Sequence, residues 1–287
     1  MDLAVEVKAN LCHFETITQL VPDLKHSSAR TMATYAQNLA LELSCGVVFL
    51  APTHKERSPH VLELGRGDWL KGMQRVMDLA ATAGAQRIMG IVGHASDRLA
   101  GETLWQRDLD ETTGMLHALG PTLRDNGQKL LLKNHPEIDS SEIQAMIQAV
   151  GADVLGLAFD PVNVILRREE PAHVASEFGR HIGQIHLDDA VLDDDNNDLI
   201  RRLLSFGDGD VDWPAIFQTV QPVDRAIPLI VDRHQATIRV LAAGWQPGRP
   251  AITQNVATNP GTTYSRDDTD LQATLVRVRR CLAAVSV

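Results

Sequence analysis

Short apolar runs alternate with longer segments of helical period along most of this chain of 287 residues. That alternation is the pattern of an α/β fold. The expected strands are residues 3–9 (LAVEVKA), 46–51 (GVVFLA), 87–92 (RIMGIV), 129–133 (KLLLK), 154–159 (VLGLAF), 183–187 (GQIHL) and 228–232 (PLIVD), seven in all. Runs this apolar are covered on both faces, which leaves a doubly wound open sheet or a closed (β/α)8 barrel. Between the strands, Trp69, Leu70, Met73, Val76, Met77 and Ala80 recur at three-to-four spacing, as do Leu271, Leu275, Val278 and Leu282. These spacings predict outer helices with one buried stripe each.

Ligand chemistry separates the two architectures. A dinucleotide-binding sheet carries a glycine-rich turn after its first strand, and VEVKANLCHFE has no glycine. Polar residues stand instead at the C-terminal ends of several expected strands: Lys133 with Asn134 and His135, Asp160, His186 with Asp188, and Asp232 with His234. In a barrel those ends meet at one mouth. A charged residue at a single strand end marks only where a core stops, so the weight lies in four successive ends and in His186 set within the apolar frame QIHL.

Charge narrows the function. A formal charge of -10 gives no positive field for a phosphate backbone, so nucleic acid is not an expected partner. Three widely spaced cysteines, Cys12, Cys45 and Cys281, fit a reducing compartment better than a disulfide framework. No apolar run reaches membrane-spanning length and no basic-then-apolar leader opens the chain, so the expectation is a cytoplasmic protein without a membrane partner.

At these residues the sequence resembles the xylose isomerase-like barrel superfamily, the sugar phosphate isomerases and epimerases that also include endonuclease IV. The resemblance runs from about residue 68 to 234, through LAATAGAQRIMGIVG, LLLKNH, GLAFDPVN, IGQIHLDD, GDGDVDWPAIF and PLIVD. It implies a single barrel domain over residues 1–287, a small sugar or polyol carbonyl compound as substrate, and one divalent metal (Mn, Mg or Zn) held by four side chains. Matched residue by residue, those positions are Lys133, Asp160, His186 and Asp232. Two agree with the family, Asp232 shortens a glutamate, and Lys133 reverses a glutamate's charge. Asn163 stands where many members carry histidine.

Isomerisation or epimerisation beside a carbonyl removes a proton from carbon and stabilises an enediolate oxygen. A protonated lysine has no lone pair for a metal and repels a second cation. The reading is therefore an altered or absent metal site, with Lys133 as a built-in electrophile, Asp232 and His186 as proton-transfer groups, and Asp160 orienting Lys133. Asp160, His186 and Asp232 are the ligands if a metal binds after all. Three other outcomes stay open: an inactive barrel serving as a binding or complex-forming subunit, a related dehydratase or lyase, and a Schiff base at Lys133.

His135, Asn163, Asp188 and His234 are the expected substrate-binding groups, with His135 and His234 as plain loop residues the alternative. Glu6 and Lys8 on the first expected strand read as a structural pair. The acidic segment 188–198 reads as a solvated loop whose Asp198 caps a helix. Residues 244–266, rich in Gly, Pro, Thr and Asn, read as a long loop, either a lid or an arm packing on a second copy in a homo-oligomer. Seven strands fall one short of a closed barrel, so one is missing or hidden between residues 30 and 60.

Overall fold

The computed structural model describes residues 1–167, 169–195, 198–220, 227–231, 237–240, 253–255, 275–276 and 278–281. The chain forms two compact units, one of Met1–Lys133 with Ser141–Ala158, the other of Asn134–Ser140 with Phe159–Val287.

The first unit carries β1 (Leu11–Phe14), β2 (Glu42–Phe49), β3 (Ala85–Ile91), β4 (Lys129–Lys133) and β5 (Leu155–Phe159), the last ending at the unit's boundary. Each pairs in parallel with the next. Leu130, Leu132, Leu155, Leu157 and Ile88 are fully buried, as strands covered on both faces require. Helices separate the strands. The expected stripe forms the helix Trp69–Thr82, which buries Trp69, Met73, Val76, Met77 and Ala80. Asp68 caps its start by accepting from Lys71 N at 3.0 Å.

The second unit holds β6 (Ile182–Leu187), β7 (Asp189–Asp195), β8 (Asp198–Leu204), β9 (Leu229–Val231), β10 (Thr237–Val240) and β11 (Thr253–Asn255). β6 and β9 pair in parallel, which brings the parallel strands among the described residues to seven. The other four make an antiparallel sheet in the order β11-β10-β8-β7.

Two expectations are corrected here. Residues 3–9 are no strand: Asp2–Glu6 is a helix, and the opening strand follows at Leu11–Phe14. Leu3, Val5 and Val7 satisfy a strand's alternation, but Ala4 and Val7 satisfy helical spacing too, and the chain end decides. Lys8 takes a left-handed φ of 57°, with Lys8 N donating to Val5 O at 3.0 Å and Ala9 N to Ala4 O at 2.8 Å. That double closure is a Schellman stop, and it leaves Val5, Glu6 and Lys8 exposed.

The second correction concerns residues 188–198. Asp189–Asp195 is not a solvated loop but β7, and it pairs with β8 from Asp189↔Leu204 to Asp195↔Asp198, so Asp198 opens a strand and caps no helix. One acid is answered across the hairpin, where Arg202 Nε donates to Asp193 Oδ2 at 2.8 Å. Residues 275–276 and 278–281 are helical with Val278 buried, as expected. Leu271, Leu282 and, apart from β11, the expected loop 244–266 lie outside the described residues.

Candidate functional site

Lys133 ends β4 opposite Ala158 in register. Met89, Leu131 and Ala158 form a small buried cluster on one face of this sheet. Lys133 shares that face with Leu131 by the two-residue period, so the half-buried lysine follows directly on an apolar layer. That is where the run of leucines stops.

The second unit gathers the other described candidates. Asp160 follows β5 and caps the helix Pro161–Ile165. Its Oδ1 accepts from Asn163 N at 3.2 Å and its Oδ2 from Asn163 Nδ2 at 2.8 Å. Its backbone is held as firmly: Asp160 N donates to Asn134 Oδ1 at 2.7 Å, and Asn134 Nδ2 donates to Asp160 O at 2.8 Å. Asn163 Oδ1 in turn accepts from Arg201 Nη1 at 3.1 Å. Burial pushes the Arg201 guanidinium's pKa down, while the Asp160 and Asp188 carboxylates push it back up. Asn134, Asp160, Asn163, Asp188 and Arg201 are all buried.

On β6 and at its exit, Gln184, His186 and Asp188 are two residues apart and share a face. Gln184 Nε2 lies 2.9 Å from His186 Nε2. This contact holds the imidazole against the Gln184 amide. Asp189 faces the other way. It accepts from Ala190 N and Gly207 N at 2.9 Å, and from Val211 N and Trp213 Nε1 at 3.2 Å. This pins the turn GDGDVDW, in which a Cβ on Gly209 would come within 2.3 Å of Asp189 Oδ1.

His135 is half-buried and its Nδ1 meets the fully buried Glu137 carboxylate. Beneath it the fully buried Arg167 donates to Ile138 O, to His135 O at 3.4 Å and to Ser140 Oγ at 3.2 Å. His135, Asp160, Asn163, His186 and Asp188 belong to one compact unit, and Asp232 and His234 lie outside the described residues. Sequence reasoning missed Arg201 and Glu137 as partners of these residues. The double arginine at 201–202 beside an acidic run was the available signal for the first, and the NHPE turn for the second.

The first unit has a polar cluster the sequence reading also missed. His54 Nε2 lies 3.0 Å from Asp108 Oδ2 and 3.6 Å from Asp97 Oδ2. Arg57 grips Asp97 with two bonds of 2.6 and 2.7 Å, and His94 N donates to Asp97 Oδ2 at 2.7 Å. Burial pushes the Asp97 carboxyl up, but Arg57, the His94 N–H and His54 together leave it below the usual range. The cluster ties the loops that follow β2 and β3.

A divalent cation needs several open donors aimed at one point. Among the described residues no three His, Cys, Asp or Glu side chains come together in this way. Both Asp160 oxygens accept from Asn163, a guanidinium stands near them, and His186 Nε2 lies against an amide. Asp232, the third expected ligand, lies outside the described residues, so these donors are only part of the expected set.

Comparison with known proteins agrees with this architecture. The chain is 24% identical over 179 residues to 3-oxo-isoapionate decarboxylase of Pectobacterium atrosepticum, covering 55% of this chain and 64% of that protein. It spans less than two thirds of the length of the curated relatives it matches. The structure of L-ribulose 3-epimerase superposes with a TM-score of 0.68 at 14% identity, over 99% of this chain and 88% of that one. The IolI protein with a bound zinc atom gives 0.68 at 13% identity, over 99% and 92%. The pattern of the xylose isomerase-like TIM barrel matches residues 5–252, and the chain belongs to that family.

Proposed function

We propose that this protein catalyses proton transfer at carbon on a small sugar or polyol carbonyl compound, as an isomerase or epimerase working through an enediolate. The observation that carries the reading is the buried His186, whose Nε2 lies 2.9 Å from Gln184 Nε2 and which shares a face with the buried Asp188 at the exit of β6. An imidazole held in place by a neighbouring amide is suited to shuttling a proton. His186 and Asp232 are the proposed acid–base groups, and Lys133 the proposed electrophile toward the enediolate oxygen. His135, Asn163, Asp188 and His234 are proposed to position the substrate, with Glu137 orienting His135. Epimerases among the structural relatives support the reaction class.

Metal-free operation is part of the proposal. The zinc in IolI belongs to that protein, and the occupied donors of Asp160 and His186 favour side-chain cations here. We further propose a single barrel domain in the cytoplasm. A second reading, a lyase that forms the same enolate by losing a carboxyl group, is favoured by the name of the decarboxylase relative.

The test is exchange in heavy water. Ketopentoses, ketohexoses, 3-oxo sugars and the corresponding oxo-aldonates are incubated with enzyme treated with chelator, and NMR follows deuterium entering the C–H beside the carbonyl. Incorporation that His186→Ala abolishes supports the reading. No incorporation into any compound sinks it in favour of a binding subunit. Elemental mass spectrometry of wild type and Lys133→Glu, purified without chelator, checks the metal-free part, which stoichiometric metal in the wild type would overturn.

A further inference from the structure

Arg201 lies on β8 with only 5% of its surface exposed. Its Nη1 is spent on Asn163 Oδ1. Nε, on the other edge of the guanidinium, is closed to solvent and has no hydrogen-bond partner. Nη2 shares that edge and is bonded by no described residue. The nearest acids do not take the edge: Asp160 turns both oxygens to Asn163, and Arg201 forms no ion pair within the described residues. A buried cation with a whole donor edge unused is costly unless a ligand completes it.

The geometry of the edge names the ligand. Nε–H and Nη2–H are parallel donors in one plane, matched by the two oxygens of a carboxylate. The surrounding charge narrows the class further. Asp160 and Asp188 stand close enough to act on the guanidinium, so a ligand anion also feels two carboxylates. A dianionic phosphate ester meets about twice the repulsion that a monoanionic carboxylate does.

We infer that Arg201 binds the carboxylate of an unphosphorylated sugar acid through its Nε–Nη2 edge. The inference rests on the proposed reading of the protein as a sugar-processing enzyme and names the substrate class of that site. Arg201 is then the residue that selects acid over neutral polyol and over sugar phosphate.

Calorimetric titration of the full chain tests it with three matched sets: D-threonate, D-xylonate and D-gluconate, each against its alditol and its terminally phosphorylated aldose. The expected result is that at least one aldonate binds about tenfold or more tightly than both counterparts. Arg201→Met should erase that preference, and Arg201→Lys, which keeps the charge without the fork, should fall between. Thermal unfolding monitors the fold of both variants. In the wild type, an arginine Nε–H resonance should also move on aldonate addition, a readout that needs no variant to fold.

Equal or tighter binding of the alditol or the phosphate overturns the inference. So does a preference that survives Arg201→Met, or no aldonate binding up to millimolar concentration. Proton exchange on neutral ketoses without aldonate binding would refute this inference and leave the proposed reaction standing. Aldonate preference with no exchange in any compound would do the reverse.

Discussion

Asn134 and Asp160 hold each other by reciprocal hydrogen bonds, side-chain amide to backbone in both directions, at 2.8 and 2.7 Å. The pair sets the start of the helix Pro161–Ile165 and hence the place of Asn163. Asn134→Ala leaves a buried N–H and a buried C=O unanswered, at about 1–3 kcal/mol each. The expected loss is about 2–4 kcal/mol in urea unfolding. Asn134→Asp keeps one acceptor but buries a carboxylate and turns its other oxygen onto the Asp160 carbonyl, so it should not rescue the loss. A loss below about 0.5 kcal/mol for Asn134→Ala would show that the clamp carries no load.

Arg57 and Asp97 make a bidentate pair whose arginine is about one third exposed and whose aspartate is buried. After discounting for screening on the arginine side, Arg57→Ala should cost about 1–2 kcal/mol at neutral pH. Asp97 has a folded pKa below its unfolded value, so its stabilisation is present above the unfolded pKa and is lost as pH falls through the folded one. The gap between wild type and variant should therefore narrow in acid. Urea midpoints at neutral pH and at about pH 3 measure it, and a gap that stays constant would contradict the assignment.

Asp189 behaves oppositely. Burial pushes its carboxyl up, against the pull of the Val211, Ala190 and Gly207 N–H groups. With the folded pKa above the unfolded one, the folded state binds more protons between them, so this residue's contribution to stability falls as pH rises through that window. Asp189→Asn should remove that slope. It should also lower stability at neutral pH by about 1–3 kcal/mol, because the new NH2 faces a ring of N–H donors. Unfolding free energies across the weakly acidic range decide, and an unchanged slope would sink the prediction.

Cys45 is fully buried on β2, and burial pushes its thiol up to about 12. At mildly alkaline pH almost none of it is thiolate, and the thiolate is the reactive form. Iodoacetamide should leave Cys45 unmodified in the native protein and modify it on unfolding, as peptide mass spectrometry can follow. Native labelling as fast as that of a free thiol would mean that the strand opens.

The order of strands and helices was legible because it rests on local periodicity. Five apolar runs from residue 46 to 187 all fall on parallel strands, and PLIVD on β9. LCHF escaped because its four residues are only half-buried and carry a histidine, leaving no apolar run to see. Residues 3–9 fit strand and helix alike until Lys8 took its left-handed turn. The hairpin of β7 and β8 was hidden because an acidic run looks solvated in sequence, while its pairing and the Arg202–Asp193 contact come from the returning strand.

The candidate site divides along the same line. Residue type and position at strand ends pick out Lys133, Asp160, His186 and Asp188, since where an apolar run stops and a polar group begins is a property of the chain itself, and Asn163 came from the family resemblance. Which atom bonds which is a property of the folded molecule. The turning of Asp160 toward Asn163, the filling of His186 Nε2 by Gln184 and the arrival of Arg201 from a hairpin 38 residues beyond Asn163 all depend on contacts between distant segments. Periodicity identifies the faces, and packing alone decides which charges share a buried space and which donors are left for a ligand.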